Sequence, residues 1–157
     1  MLRSLRRAAA VLVPATALVA VAASPAFAET FSDNFSPCYP TTTVTRSGGP
    51  TLFTIRVSST ATCGQVSYGG QVQNVSLQVY LRYGSAVELC YGGNGNLGST
   101  YTISTSCTAA GAPAGVYTVT VAMSMWPYQD PTPASCTKGP TGYNWQDCTA
   151  THTVVVS

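Results

Sequence analysis

The chain has 157 residues, of which 8% are charged and 45% are hydrophobic, and its formal net charge is +2. Three of its seven cationic residues lie within the first seven positions, which leaves four cations against five carboxylates, a net charge of −1, in the rest of the chain. Four scattered cations do not make the continuous basic stripe that neutralises phosphates, so nucleic acid is excluded as a partner. Few charges with abundant uncharged polar residues are typical of a rigid β protein.

The amino terminus carries the three parts of a secretory signal peptide. Its early arginines precede an apolar stretch at residues 8–23, which ends near the small-x-small triplet Ala26-Phe27-Ala28. This order predicts export, with residues 1–28 cleaved off and a soluble extracellular chain that begins at Glu29. A membrane anchor is the alternative for the same stretch, but Pro14, Pro25 and the excess of alanine over leucine disfavour it.

Residues 29–40 are rich in aromatic side chains around the first cysteine. The prolines in this segment favour an extended chain, so we predict an aromatic N-terminal arm that inserts into a partner. Phe31 and Phe35 are its predicted anchors, with Tyr39 as a further contact. In the alternative, Phe31 and Phe35 fold back onto the core of their own domain.

Residues 41–157 show the alternation of half-buried strands, and no sustained helical period follows Ala28. In the clearest run, residues 117–125, valine and methionine alternate with threonine, alanine and serine. Turn-forming clusters separate the runs. The predicted strands are 42–46, 52–58, 75–82, 86–91, 99–107, 117–125 and 151–156, and the predicted turns are 47–50, 69–70, 92–96 and 111–115. This pattern predicts an all-β fold, a single small disulfide-stapled antiparallel β-sandwich of immunoglobulin-like type.

The six cysteines follow the predicted signal peptide, which favours a disulfide framework in an oxidising compartment. Zinc is the alternative use of cysteine, but the chain has no Cys-x-x-Cys or His-x-His spacing, and we predict no metal and no cofactor. Spacing favours three local bridges. The predicted pairs are Cys38 with Cys63, Cys90 with Cys107, and Cys136 with Cys148.

A long connection at residues 126–148 holds a second group of aromatic side chains. Aromatics on a disulfide-closed loop provide rigid contact area at a low entropic cost, which suits protein or sugar binding. The predicted contacts are Trp126, Tyr128, Tyr143 and Trp145. In the alternative, Trp126 extends the buried face of its strand and Trp145 covers a sheet edge.

Residues for enzyme chemistry are scarce. The sole histidine, His152, alternates with the valines of the last strand, and a Ser-His-Asp arrangement would need Asp147 or Asp130 with a serine that no motif singles out. A pair of carboxylates would need Glu88 with one of the same aspartates. We therefore predict that the protein is not an enzyme.

A secreted alanine-rich precursor, a small cysteine-stapled β domain and the aromatic segment from Phe31 to Tyr39 together resemble the small adaptor subunit of actinobacterial umbrella toxin particles. The likeness lies in the overall layout of residues 29–157. In that family the adaptor joins a repeat-containing toxin stalk to a trypsin-like lectin, with an N-terminal extension in the lectin's cleft and strand complementation with the stalk. The resemblance implies a secreted, non-enzymatic adaptor whose partners are other secreted proteins.

A second resemblance supports an alternative function. Trp126-Pro127-Tyr128 is similar to the Trp-Arg-Tyr element of small secreted actinobacterial α-amylase inhibitors, although the central arginine is absent here and the chain is longer and richer in cysteine. This likeness implies an inhibitor of a foreign hydrolase, either an amylase or a protease. A carbohydrate-binding module that uses Trp126, Tyr128 and Trp145 is the third hypothesis.

Overall fold

The computed structural model describes residues 27–49, 51–64, 72, 74–84, 87–97, 102–128, 130–139 and 144–157. All regular elements within these ranges are β-strands. They are β1 (Phe27–Ser32), β2 (Cys38–Gly48), β3 (Leu52–Cys63), β4 (Asn74–Tyr83), β5 (Val87–Leu97), β6 (Thr102–Pro113), β7 (Gly115–Trp126), β8 (Cys136–Lys138) and β9 (Gln146–Val156). None of the described ranges contains a helix with the length and apolar character that a membrane span requires. The predicted signal peptide lies outside the described residues, except for Phe27 and Ala28, which begin β1.

The described strands form two antiparallel sheets. The first sheet has the order β1-β2-β3-β6, and the second has the order β5-β4-β7-β9-β8. Along β3, β4 and β7 every second residue is buried while its neighbours are not. Each sheet therefore turns one face toward the other sheet and one face toward solvent. The predicted all-β, disulfide-stapled antiparallel sandwich is confirmed, and its immunoglobulin-like type stays a prediction.

Two adjoining clusters of buried side chains fill the space between the sheets. One cluster surrounds Phe35, Leu77 and Met125, and the other surrounds Ile55 and Tyr117. These five side chains are 0% exposed. The predicted runs at 75–82 and 117–125 supply inward residues of both clusters, and the run at 52–58 supplies inward residues of the second, as their alternation indicates.

The three disulfides join the predicted cysteine pairs. Cys38–Cys63 links directly opposed residues of β2 and β3, and Cys136–Cys148 does the same for β8 and β9. The third bridge, Cys90–Cys107, runs from β5 in the second sheet to β6 in the first. The predicted local pairing is therefore confirmed. The Cys90–Cys107 bridge closes the sandwich along the side where β5 meets β6.

Two predicted turns are wrong in their extent. The sequence predicts a turn over Gly92–Asn96, but these residues continue β5 to Leu97. Gly92 permits this path because a Cβ atom at that position would lie 2.4 Å from the carbonyl oxygen of Ser106. Residues 111–113 extend β6, so only Ala114 separates β6 from β7. The prediction for residues 69–70 lies outside the described residues.

The predicted extended arm at residues 29–40 is part of the sandwich. Its first half pairs with β2 from Ser32 opposite Thr41 to Phe27 opposite Arg46, and its last residues begin β2 itself. Backbone pairing and the burial of Phe35 hold this segment against the domain, which is the physical reason that it does not project. The prediction of an arm is wrong, and the alternative of folding back is the one that the structure has.

Candidate partner-binding surface

The two predicted anchors near the amino end, Phe31 and Phe35, and the further predicted contact Tyr39 occupy three different environments. Phe35 is 0% exposed and lies in the core beside Cys38 and Cys63, so its prediction as an exposed anchor is wrong. Phe31 is half-buried on β1 and packs against the second core cluster. Tyr39 is 52% exposed on β2. Of the three side chains, Tyr39 is the most accessible to a partner.

Phe31, His152 and Asp33 form a small cluster that connects the two sheets along the side where β1 faces β9. The ring of Phe31 stacks on the imidazole of His152, with 4.2 Å between the ring centroids and 13° between the planes. Nε2 of His152 lies 3.0 Å from Oδ2 of Asp33, and these side chains are 20% and 10% exposed. The sequence predicts that His152 alternates with the inward valines of β9, and it does point between the sheets.

Replacement of Asp33 by alanine is expected to lower the free energy of unfolding by about 1–2 kcal/mol, because His152 would keep a half-buried nitrogen without its partner. Asp147→Ala is the matched control, since Asp147 is exposed and accepts a hydrogen bond from the hydroxyl of Ser124. Its expected effect is within about 0.5 kcal/mol. Urea unfolding of both variants measures the difference, and equal effects would contradict a stabilising His152–Asp33 contact.

The turn after β1 lies against the disulfide-closed hairpin of β8 and β9. Nε2 of Gln146 donates to the carbonyl oxygen of Ser36 at 3.0 Å, and the hydroxyl of Ser135 donates to the carbonyl oxygen of Asn34 at 2.8 Å. The Gln146 side chain is itself completely buried. These bonds connect the amino-terminal turn to the hairpin by contacts that the sequence pattern does not signal.

The predicted aromatic loop forms one end of the sandwich, which we call the aromatic end and define as Trp126, Tyr128 and Trp145. All three side chains are half-buried. Trp126 falls on the outward side of β7 by alternation, so it does not extend the buried face. Tyr143 lies outside the described residues.

Backbone and side-chain contacts order the loop around Tyr128. Its amide donates to the carbonyl oxygen of Asn144 at 2.9 Å, and the amide of Gly139 donates to the carbonyl oxygen of Trp145 at the same distance. Nζ of Lys138 lies 4.4 Å from the centre of the Tyr128 ring and 3.1 Å from Oδ1 of Asp130. The aromatic end is therefore a braced surface that presents aromatic, cationic and anionic groups together.

The last strand provides a different kind of surface, which we call the β9 edge and define as Ala150–Val156. β7 pairs with β9 along its whole length on one side, whereas β8 covers only Gln146 to Cys148 on the other. The amide of Thr149 donates to the carbonyl oxygen of Ser135 at 3.0 Å. Within the described part of the chain, no strand pairs with the β9 edge on its outer side.

Exposed apolar side chains gather at the end of the sandwich opposite the aromatic end, a feature that sequence reasoning missed. Val155 on β9 is 60% exposed and lies directly opposite Val116 on β7, which is 52% exposed. Tyr83 and Val87, a pair across β4 and β5, are 39% and 55% exposed at the same end. Val116 and Val155 point outward, whereas Tyr83 lies opposite the buried Tyr117 on the core-facing side of the sheet, at its very end. Only the pairing of the strands brings these side chains to one end of the sandwich.

Tyr117 anchors this apolar end from the inside. Its phenol is buried and donates a hydrogen bond to the carbonyl oxygen of Pro113. Burial raises the pKa of Tyr117 above the ordinary value of 10.0, and the nearby Tyr83 raises it further. The phenol therefore stays protonated and keeps its donor role at neutral pH.

The residues considered for enzyme chemistry have other partners. His152 faces Asp33 and not Asp130 or Asp147, which hold contacts with Lys138 and Ser124. Glu88 lies 3.8 Å from the guanidinium of Arg82, and both side chains are well exposed. The arrangement of these groups does not reproduce either the Ser-His-Asp or the paired-carboxylate geometry that was considered from the sequence.

No protein-family model, curated protein or solved structure matches the chain.

Proposed function

We propose that this protein is a secreted, non-enzymatic adaptor that binds other secreted proteins by adding a partner's strand to the β9 edge. The observation that carries the proposal is the open outer side of Ala150–Val156 in the described chain. An open edge offers a row of backbone donors and acceptors to an extended peptide, and pockets for alternate side chains give specificity.

The composition of the β9 edge favours strand addition. Natural proteins usually protect exposed edges with proline or with lysine and other charged residues, and Ala150–Val156 contains no proline, lysine, arginine, aspartate or glutamate. The exposed Val155 and its neighbour Val116 add apolar area beside the backbone groups. A partner strand would thus gain both a hydrogen-bond ladder and a hydrophobic contact.

An adaptor needs a second surface, and the aromatic end supplies one at a distance from the exposed valines. Trp126, Tyr128 and Trp145 lie there with the braced Lys138, and Tyr39 lies exposed on β2. Three disulfides suit a protein that works in an oxidising extracellular medium. By the resemblance to umbrella toxin particles, the partners are a repeat-containing toxin stalk and a lectin.

The β9 edge is tested by Val155→Lys, with Val116→Lys as the matched control. Both valines are exposed on the same face and lie opposite each other, but only Val155 is on the open edge. A lysine on the edge obstructs strand addition. We expect Val155→Lys to reduce the affinity for the co-purified partner by at least about tenfold, or roughly 1.4 kcal/mol, while Val116→Lys changes it much less.

The measurement is purification of the tagged, disulfide-intact protein from the medium of the cells that secrete it, followed by mass spectrometry and a binding titration with the partner recovered. Equal losses for Val155→Lys and Val116→Lys would mean that the partner docks on the sheet face. Recovery of the protein alone would contradict the adaptor function itself.

A second candidate function is inhibition of a hydrolase through the aromatic end. The contacts at the aromatic end favour it, because the Cys136–Cys148 bridge and the bonds around Tyr128 fix the described residues there, and pre-ordered surfaces bind at a low entropic cost. Tyr128→Ala should then abolish inhibition of the target amylase or protease, whereas Val155→Lys should leave it unchanged. If the protein is an adaptor, neither the Tyr128→Ala variant nor the Val155→Lys variant inhibits a hydrolase.

A further inference from the structure

A polar groove lies on the outer face of the first sheet, where β3 and β6 meet the edge of β5. Its volume is about 480 Å³, within the range of sites for small molecules. The side chains that line it are hydrophilic and include Arg56, Ser58, Thr60, Asn94, Ser104 and Ser106. This groove belongs neither to the β9 edge nor to the aromatic end.

The wall of the groove is held by close backbone contacts. β5 lies against β6 because Gly92 has no side chain, and a Cβ atom there would be 2.4 Å from the carbonyl oxygen of Ser106. Nδ2 of Asn94 donates to the carbonyl oxygen of Ser104 at 2.9 Å. The Cys90–Cys107 bridge joins the same two strands nearby. The groove is therefore formed in the free protein, so a ligand would not have to order it.

Two cross-strand pairs of hydroxyl groups form the floor. Thr60 is directly opposite Ser104 and Ser58 is directly opposite Ser106, and all four side chains project to the outer face. The hydroxyls of Thr60 and Ser104 are hydrogen-bonded at 2.8 Å. Each hydroxyl can both donate and accept hydrogen bonds, as can the hydroxyls of a sugar. Side chains opposed in this way are about 5 Å apart, a spacing that places donors and acceptors under neighbouring ring substituents.

Arg56 gives the groove its charge. It is the charged residue among those that line the groove, and it is exposed on β3, two residues before Ser58 and on the same face. No salt bridge joins it to an acidic side chain in the described part of the chain. A guanidinium binds carboxylate and phosphate groups with two parallel hydrogen bonds.

We propose that this groove binds a saccharide that carries a carboxylate or a phosphate group. The guanidinium of Arg56 binds the anionic group. The two hydroxyl pairs, together with the side-chain oxygen of Asn94, bind the sugar hydroxyls. The lining provides no aromatic ring for stacking, so a single sugar unit binds weakly, with a dissociation constant on the order of 1 mM. The site goes beyond the adaptor function, because it lies on other strands and uses no residue of the β9 edge.

The test is an NMR titration of the intact, oxidised protein labelled with ¹⁵N. The probes are D-glucuronate for the carboxylate, D-glucose 6-phosphate for the phosphate, and D-glucose as the neutral sugar. We expect saturable shifts of the amides of Gly93, Asn94 and Ser104 with one or both anionic sugars, and at least about tenfold weaker binding of glucose. The stronger of the two anionic probes identifies the preferred group.

Three variants distinguish binding in the groove from binding elsewhere on the protein. Arg56→Gln is expected to weaken binding of the anionic sugar about tenfold, while Arg82→Gln, which changes an arginine on the second sheet, leaves it unchanged. Thr60→Val keeps the shape but removes a hydroxyl, so it should weaken sugar binding and not the binding of inorganic phosphate. Equal affinity for glucose and glucuronate, equal effects of the two arginine variants, or no saturable shift in the groove would overturn the proposal.

Discussion

Phe35→Ala is expected to lower the free energy of unfolding by about 3–5 kcal/mol, the largest effect of any single substitution considered for this protein. Phe35 is 0% exposed, and its ring lies in the core cluster that includes Met123, Met125 and the Cys38–Cys63 bridge. Alanine at this position would remove the apolar contacts and leave a cavity. The Cys38–Cys63 bridge holds β2 and β3 together, so these strands cannot move in to fill it. Thermal or urea unfolding of the oxidised protein measures the loss.

Tyr39→Ala is the control, because Tyr39 is an aromatic residue of the same segment but is 52% exposed. Its expected effect on the free energy of unfolding is within about 0.5 kcal/mol. If Phe35→Ala were as mild as the expected effect of Tyr39→Ala, the Phe35 ring would not be part of the core, and the account of residues 29–40 would be contradicted. Deletion of residues 29–36 is a poor test of partner binding for the same reason, since it removes most of β1 together with Phe35.

Removal of the Cys38–Cys63 bridge by a double change to alanine is expected to lower the free energy of unfolding by about 2–5 kcal/mol. The bridge spans 25 residues of sequence, and both cysteines are buried beside Phe35. The unfolded chain would regain conformational freedom, and the core would lose two buried sulfur atoms at once. Urea unfolding of the double variant under oxidising conditions checks the value.

The Cys136–Cys148 bridge provides a comparison within the same molecule. It spans only 12 residues, and Cys136 is partly buried, so its removal should cost less. A loop of half the length contributes about 0.6 kcal/mol less in closure entropy. A larger loss for the shorter bridge would show that the β8–β9 hairpin, and not the β2–β3 pair, stabilises the fold.

Local patterns in the sequence predicted the strands that form the centre of the sandwich. Residues 52–58, 75–82 and 117–125 alternate strictly because each has one face against the core and one toward solvent. Local spacing also predicted the three disulfides, because each bridge joins two strands that follow one another in the chain.

The positions of Phe35 and Gly92 could not be predicted in the same way. Phe35 follows the polar run Ser32-Asp33-Asn34. It is buried in a cluster that includes Met125 and Cys148, which are distant in sequence. The glycines from Gly92 onward have the composition of a turn, but Gly92 serves the close approach of β5 to β6. Both cases depend on contacts between strands that the local sequence pattern does not reveal.

The candidate surfaces were predicted in part. Trp126, Tyr128 and Trp145 were predicted as contacts from the aromatic composition of residues 126–148, and they lie at one end of the sandwich, where Lys138 contacts the Tyr128 ring. The valine pair of the apolar end arises only from the register of β7 against β9, and the open side of β9 arises only from the short length of β8. A partner strand at this edge remains the central proposal about function.

The most direct test places a photo-activatable phenylalanine analogue at Thr153 on the β9 edge and, in a separate protein, at Thr45 on β2. Both positions are exposed and outward-facing, but Thr153 borders the open edge, while Thr45 lies on a strand that pairs with β1 on one side and β3 on the other. After irradiation in the medium of the secreting cells, the adaptor account predicts a cross-link from Thr153 to one extended segment of a partner protein, and none from Thr45. Cross-links from Thr45 alone, or from neither position while the protein stays folded, would contradict it.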